Sequence, residues 1–239
     1  MDQLIVALDV ETGELAMRLA GALHGVAGGF KVGSRLFTRE GPALVRALVA
    51  SGARVFLDLK YHDIPNTVQQ AVEAAVHTGA WMINVHASGG RAMMEAAARA
   101  ARDTTAQLGR PAPLMIAVTV LTSMDRQALQ AVGVDRPVLD QVLALARMTQ
   151  DAGLQGVVAS PQETSAIRKA CGPEFQIVTP GIRGASAGTE RNDQSRTMGP
   201  ADAIRAGASY IVVGRPIIAA PDPRAAADAI ARDLRLTSP

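Results

Sequence analysis

The sequence has little of what would support a disulfide-stabilised or nucleic-acid-binding protein. Its 239 residues include one cysteine, Cys171, which excludes a disulfide bond within the chain and a cysteine-based zinc site. Aromatic residues make up 3% of the chain, and the basic residues are scattered rather than clustered. Because a nucleic-acid-binding surface usually combines a basic stripe with aromatic side chains, no nucleic-acid partner is expected.

Long apolar runs are also missing. No run approaches the roughly 18 consecutive apolar residues that a membrane-spanning helix needs. The first ten residues, MDQLIVALDV, carry an acid at position 2 and an apolar run ended by Asp9, unlike a secretory signal peptide. The charge is nearly balanced, with 24 Lys and Arg against 22 Asp and Glu. These features predict a soluble, cytoplasmic protein that does not contact a membrane.

The chain does contain a short apolar run that recurs eight times, each time followed by an Ala-rich amphipathic stretch. The length of the runs and their Val and Ile content favour strands over helices. The predicted strands are LIVALD (4–9), GFKVG (29–33), VFLDLK (55–60), MINVHA (82–87), LMIAVTV (114–120), GVVAS (156–160), QIVTPG (176–181) and YIVVGR (210–215).

Eight strand–helix units in 239 residues, with no linker between them, are typical of a (β/α)₈ TIM barrel with eight parallel strands. We therefore expect a single barrel domain over residues 1–239, and the 48% apolar content is enough for its core. An open, doubly wound sheet is the alternative fold. It usually has fewer strands and a glycine-rich first turn, whereas the first turn here is LDVETGELA.

The third run, VFLDLK, ends in charged residues although it otherwise reads as a buried strand. Side chains of a barrel strand alternate between the interior and the helix layer, so Phe56, Asp58 and Lys60 share one face. The opposite face is aliphatic and suits the helix layer. We therefore expect Asp58 and Lys60 to point inward at the carboxyl end of the strand, where barrel enzymes place their active sites.

Three further polar residues fall at the same end of other strands: Asp9 ends the first run, Lys31 lies in the second, and Thr122 follows the fifth. A strand-end Asp is often a helix cap, and a Lys–Asp pair can be a structural ion pair. Because burying several charges on one rim without a function would destabilise the barrel, their convergence favours a site. The nearby His62 and His86 are interpreted as structural, in a turn and at a strand end.

Two glycine-containing loops near the C-terminus predict a phosphate site. TPGIRG ends the seventh run and VVGRP the eighth, and barrels commonly bind phosphate at these loops through backbone N–H groups. Each loop also supplies an arginine, Arg183 or Arg215, for bidentate contact; the alternative is that both arginines are simply solvated. The small, polar stretch 182–199 is expected to form a mobile loop that closes over the phosphate.

These segments resemble the orotidine 5′-phosphate decarboxylase family. FLDLKYHDIPNTV is similar to its Asp-x-Lys-x-x-Asp-Ile-Pro-Asn-Thr motif, AVTVLTS to its fifth-strand segment, and TPGIR and VVGRP to its phosphate loops. The likeness runs from VALD near the N-terminus to GRPI near the C-terminus. It implies a cytoplasmic lyase of de novo pyrimidine biosynthesis that converts orotidine 5′-monophosphate to uridine 5′-monophosphate and CO₂, without cofactor or metal.

The resemblance also implies roles for the charged residues on the rim. Lys60 corresponds to the proton donor to the carbon that loses CO₂, and Asp58 is expected to lie beside the substrate carboxylate. Lys31 and Asp9 correspond to residues at the ribose hydroxyls. In the family the residue matching Asp63 reaches the active site of the neighbouring subunit, which makes it part of the catalytic set.

Further residues follow from the same motifs. Thr67, like Asp63, is expected to reach the neighbouring subunit's site, which implies a homodimer with shared active sites. Thr122 is expected to face the pyrimidine. The phosphate is expected to be held by Gln194, Gly214 and Arg215, and Arg183 is expected to help close the loop.

Two other functions remain compatible with the sequence. Related sugar-phosphate barrels use Asp-x-Lys-x-x-Asp with Mg²⁺, so a metal-dependent hexulose-phosphate synthase-like aldolase is the leading alternative; such barrels are not expected to carry the following IPNT. A non-catalytic sensor of a phosphate ligand is the second. It would be expected to lose the Asp and Lys array while keeping the Gly-Arg loop, and here the array is complete.

Overall fold

Eight parallel strands close into a barrel in the computed structural model, which describes residues 2–182 and 198–235. Each strand pairs with its neighbours in sequence, and the first also pairs with the eighth. This closure confirms the predicted (β/α)₈ barrel and rules out the open sheet. The strands are β1 (Leu4–Ala7), β2 (Gly29–Gly33), β3 (Val55–Tyr61), β4 (Met82–His86), β5 (Leu114–Val118), β6 (Gly156–Val158), β7 (Gln176–Thr179) and β8 (Tyr210–Val213).

Helices follow the strands and form the outer layer of the barrel. In the described part of the chain they are α1 (Gly13–Ala22), α2 (Ser34–Ala50), α3 (Pro65–Val76), α4 (Arg91–Leu108), α5 (Arg126–Ala131), α6 (Val138–Asp151), α7 (Thr164–Cys171), α8 (Pro200–Arg205), α9 (Arg215–Ile218) and α10 (Pro223–Arg235). The helix α2 is kinked at Gly41, whose φ is 66°, directly before Pro42. No helix among these is both long and apolar enough to cross a membrane.

Most strands are shorter than their apolar runs predicted. The run 4–9 gives a strand that ends at Ala7, and the run 114–120 gives one that ends at Val118. Six of the eight runs lose one or two residues at the carboxyl end, whereas β2 has its predicted bounds and β3 continues to Tyr61. The residues lost from the ladder, such as Asp9, form the loops that surround the mouth of the barrel.

Side chains of the strands separate into two cores, as the alternation predicts. Phe56 belongs to an inner cluster that fills the barrel, whereas its neighbours Val55 and Leu57 pack in the larger core between strands and helices. The inner cluster consists of Ile5, Ala7, Phe56, Met82, Ile116, Val178 and Val212. This filling closes the lower part of the barrel and leaves the space at the carboxyl ends of the strands for polar groups.

Candidate active site

A cavity of about 540 Å³ opens at the carboxyl ends of the strands. Its wall includes seven of the predicted site residues: Asp9, Lys31, Asp58, Lys60, Thr122, Gly214 and Arg215. Phe56 of the inner cluster also lines it, alongside Val118 and Val158 from the strands opposite. The cavity therefore combines an apolar part with a charged part, as a small-molecule site requires. A second cavity, of about 440 Å³, lies away from this cluster beside α4 and the start of β5.

Asp58 is the centre of the charged part. Its Oδ1 atom lies 2.6 Å from Lys60 Nζ and accepts a 2.7 Å hydrogen bond from Asn84 Nδ2. The other oxygen, Oδ2, lies 3.6 Å from Lys31 Nζ, and that ammonium group lies 3.0 Å from Asp9 Oδ1. The result is an alternating chain of negative and positive groups across three neighbouring strands. The parallel register β1–β2–β3 brings these residues to one edge.

The environment of Asp58 stabilises its ionised form. The side chain is almost fully enclosed, and burial alone would raise its pKa. The charges of Lys31 and Lys60 oppose this, as do hydrogen bonds from Lys60 and Asn84, so that the pKa is lowered below the ordinary 3.8. Asp58 is therefore a carboxylate at neutral pH and presents a fixed negative charge between two ammonium groups.

Lys60 has an unusual backbone. Its φ is 52°, which makes it the one residue other than glycine with a positive φ among residues 2–182 and 198–235. The β3–β4 pairing is irregular between Leu57 and Tyr61, so this residue lies in a local bulge. A left-handed backbone at a residue other than glycine costs about 1–3 kcal/mol, and residues in this conformation cluster at functional sites. The bulge directs the side chain to the cavity, where 35% of it is exposed.

Asn84 is a site residue that the sequence patterns did not single out. It lies in β4, is fully buried, and bonds both Asp58 and the backbone N–H of Lys60, the latter at 2.8 Å. One signal was available: within MINVHA, position 84 alternates with Met82 and therefore faces the barrel interior. A polar amide facing inward from an apolar strand requires buried hydrogen-bond partners.

Two residues predicted to hold the phosphate, Gly214 and Arg215, line the cavity. Gly214 precedes α9, and Arg215 is the first residue of that helix. A Cβ at Gly214 would lie 3.4 Å from Ala7 Cβ and 3.6 Å from Asp9 Oδ2, which are ordinary van der Waals distances and place this loop beside β1. The predicted residues Arg183 and Gln194, and most of the predicted loop 182–199, lie outside the described residues.

Asp63 and Thr67 do not line the cavity of their own chain. Asp63 follows β3 and its Oδ1 accepts the backbone N–H of Ile64 at 2.6 Å; Thr67 lies in the first turn of α3. Residues 62–67 are all exposed, and Ile64 is 67% exposed. This segment therefore presents an exposed apolar side chain between Asp63 and Thr67, the two residues that the family resemblance assigns to a partner's site.

Three further residues lie around the charged cluster. Arg35, in the first turn of α2, lines the cavity and forms an ion pair with Glu11. His62 and His86 stack with their ring centroids 5.4 Å apart, and Nδ1 of His86 is buried with no hydrogen-bond partner among residues 2–182 and 198–235. Burial lowers the pKa of His86, and the charges of His62 and Lys60 lower it further. Arg35 was missed because it lies on a helix rather than at a strand end.

Comparison with known proteins identifies the family of the chain. An "Orotidine 5'-phosphate decarboxylase" from Moorella thermoacetica is 57% identical over 236 residues, which cover 98% of this chain and 93% of the relative. One from Syntrophotalea carbinolica is 52% identical, covering 97% of this chain and 94% of the relative.

Solved structures of the same description have the same fold. Orotidine 5'-phosphate decarboxylase from Lactobacillus acidophilus superimposes with a TM-score of 0.86 at 36% identity, covering 98% of this chain and 99% of the other. The enzyme from Pyrococcus horikoshii gives 0.76 at 28% identity, covering 97% and 99%. A model of the "Orotidine 5'-phosphate decarboxylase / HUMPS family" matches residues 2–230. The chain therefore belongs to the orotidine 5′-phosphate decarboxylase family.

Proposed function

We propose that the chain converts orotidine 5′-monophosphate to uridine 5′-monophosphate and CO₂ in pyrimidine biosynthesis, without a cofactor, and that Lys60 is the proton donor. The observation that carries the proposal is the Asp58–Lys60 pair, with 2.6 Å between Oδ1 and Nζ, on the wall of the cavity. A carboxylate and an ammonium group side by side suit a reaction that removes a carboxylate and replaces it with a proton.

Loss of CO₂ from the pyrimidine ring leaves an electron pair on an sp² carbon, with no carbonyl placed to delocalise it well. The transition state therefore needs a fixed positive charge at this carbon and a proton close by. The ammonium group of Lys60 supplies both. The hydrogen bond to Asp58 and the bulge hold it in place before the substrate arrives, and such preorganised charge is usually the largest electrostatic contribution to catalysis.

Asp58 can also act by repelling the substrate carboxylate, but repulsion alone is too weak to explain a large acceleration. Two like charges about 4 Å apart at an effective dielectric near 20 interact by roughly 4 kcal/mol. An enzyme for a very slow reaction must supply on the order of 20 kcal/mol. The larger part must come from stabilising the carbanion and from binding energy at the remote phosphate.

The rest of the cavity suits the remainder of the nucleotide. Its described wall carries four basic side chains and two acidic ones, which favours an anionic ligand. In the proposal Lys31 and Asp9 hold the ribose hydroxyls and Thr122 faces the pyrimidine, while Gly214 and Arg215 hold the phosphate. Through the family resemblance, Gln194 is also assigned to the phosphate and Arg183 to closing the loop.

The proposal includes a cytoplasmic homodimer of single-domain subunits. Asp63 and Thr67 would each enter the active site of the partner subunit. What supports this is the exposure of the whole segment 62–67 and of the large apolar side chain of Ile64 within it. An exposed apolar side chain flanked by polar residues suits the buried centre of an interface.

The ultraviolet absorbance of orotidine 5′-monophosphate tests the function directly. We expect the absorbance to fall when the purified protein is added, uridine 5′-monophosphate to appear in equal amount, and excess EDTA to change neither. Loss of turnover in EDTA with recovery in Mg²⁺ would instead favour the aldolase-type relatives. Binding without turnover would favour a phosphate-ligand sensor.

A further inference from the structure

Asn84 makes two hydrogen bonds, one to each of the two central residues of the site. We propose that it is a positioning residue for the decarboxylation, which fixes the bulged backbone of Lys60 and the carboxylate of Asp58 together. The inference rests on the proposed function. It concerns a fully buried residue that is not among the described residues lining the cavity, yet bonds two residues that are.

The first bond stabilises a strained backbone. Lys60 adopts a φ of 52°, and in the bulge its N–H has left the regular ladder between β3 and β4. That N–H donates instead to Asn84 Oδ1 at 2.8 Å. Because even a partly buried N–H without an acceptor is disfavoured, the amide oxygen helps to stabilise the left-handed conformation. It is the conformation that directs the lysine side chain to the cavity.

The second bond fixes the carboxylate. Asn84 Nδ2 donates to Asp58 Oδ1 at 2.7 Å, the same oxygen that accepts the Lys60 ammonium group at 2.6 Å. The orientation of the amide has no alternative, since the backbone N–H requires the oxygen and the carboxylate requires the NH₂ group. The fully buried side chain of Asn84 thus fixes the rotation of the Asp58 carboxylate and the backbone position from which the Lys60 side chain extends.

Asparagine is well matched to this task because it is uncharged and offers a donor and an acceptor at one end. Alanine would remove both bonds, and leucine would fill the space without making either. Aspartate would keep the acceptor for Lys60 N–H, but would place a second carboxylate against Asp58. Two adjacent buried carboxylates raise the pKa of one of them, so at low pH the new carboxyl would be protonated and could donate to Asp58 as the amide does.

The test is steady-state kinetics with orotidine 5′-monophosphate. For Asn84→Ala we expect kcat to fall by about tenfold to a hundredfold, the loss typical of a hydrogen bond to a charged group. KM should stay within about threefold, since ribose and phosphate contacts are untouched. The acid limb of the kcat profile should move to higher pH, because a hydrogen bond that lowers the Asp58 pKa is gone.

For Asn84→Asp the measured quantity is the pH dependence of kcat relative to the wild type, which would not change if Asn84 had only a structural role. We expect its kcat, relative to the wild type at the same pH, to rise as the pH falls and the new carboxyl becomes protonated. A ratio that does not change with pH would overturn the inference, and so would an Asn84→Ala variant that keeps the wild-type kcat. If the alanine variant fails to fold, the aspartate profile decides.

Thr149→Val is the matched control for loss of a buried hydrogen bond. Thr149 is fully buried in α6, and its hydroxyl donates to Leu145 O at 2.8 Å, away from the charged cluster. This variant should lose stability but keep the wild-type kcat and pH profile. Wild-type protein without decarboxylase activity would refute the proposed function itself; active wild type with an unaffected Asn84→Ala would refute only the role of Asn84.

Discussion

Asp58 and Lys60 are two residues apart on β3, and their Oδ1 and Nζ atoms lie 2.6 Å apart at the carboxyl end of the barrel. Regular alternation places both side chains on one face, and Lys60 in addition has a left-handed backbone, with a φ of 52°. The geometry of the pair therefore depends both on the alternation of side chains along β3 and on the local bulge at Lys60. A ligand that enters the cavity therefore meets a negative and a positive charge that already lie side by side.

The buried Asp58 predicts a specific dependence of stability on pH. Because its pKa is lower in the folded protein than its ordinary 3.8, ionised Asp58 stabilises the fold above that value. This stabilisation is lost as the pH falls toward the folded pKa. Relative to Asp58→Asn, we expect the free energy of unfolding of the wild type to fall by roughly 1.4 kcal/mol per pH unit below about pH 4.

Urea denaturation of both proteins between pH 2 and 7 would measure this difference. The two free energies of unfolding should run parallel above about pH 5, where Asp58 is ionised in both the folded and the unfolded chain. Parallel curves over the whole range would mean that the pKa of Asp58 is not lowered. Lys31 and Lys60 would then not stabilise the negative charge of Asp58.

Arg215 is expected to bind the phosphate of the substrate. Replacing it by alanine removes a charge-assisted contact, so KM for orotidine 5′-monophosphate should rise about tenfold to a hundredfold. Arg205→Ala is the matched control, because this arginine ends α8, pairs with Asp202 and does not line the cavity. An unchanged KM for Arg215→Ala, equal to that of the control, would remove the phosphate assignment.

Shared active sites can be tested with hybrid dimers. Lys60→Ala and Asp63→Ala should each be nearly inactive as homodimers. In a hybrid, purified through a different tag on each chain, one site would have Lys60 from one chain and Asp63 from the other. The hybrid should therefore recover about half of the wild-type activity per dimer, since one of two equivalent sites is intact.

The control hybrid combines Lys60→Ala with Asp58→Ala. These two residues bond each other within one chain, so every site of this hybrid lacks one of them. It should stay inactive. Recovery in this control, or no recovery in the Lys60 and Asp63 hybrid, would argue against a site built from two subunits.

The sequence was sufficient to predict the barrel and the group of residues around Asp58. Apolar runs separated by helical stretches leave few other folds, and parallel strands bring their carboxyl ends to one rim. That is why Lys31 and Asp9 could be placed near Asp58 although 27 and 49 residues, respectively, separate them from it in the chain. Most predicted strands were too long at the carboxyl end, because β-forming residues such as Val120 continue past the last backbone hydrogen bond between the strands.

Three features depend on geometry that one-dimensional patterns do not contain. The positive φ of Lys60 arises from a bulge between two strands, and lysine has no intrinsic preference for it. Asn84 was passed over because its partners lie on the neighbouring strand. The stacking of His62 on His86 depends on the path of the chain after β3.

Turnover of orotidine 5′-monophosphate by Lys60→Ala tests the central claim most directly. The measurement is release of ¹³CO₂ from substrate labelled in the carboxylate, by wild-type and variant protein of equal folded content, in the presence of EDTA. We predict rapid release by the wild type and a rate at least about a thousandfold lower for the variant, because the fixed charge and the proton are both removed. Substantial release by Lys60→Ala would contradict the role of Lys60 as proton donor.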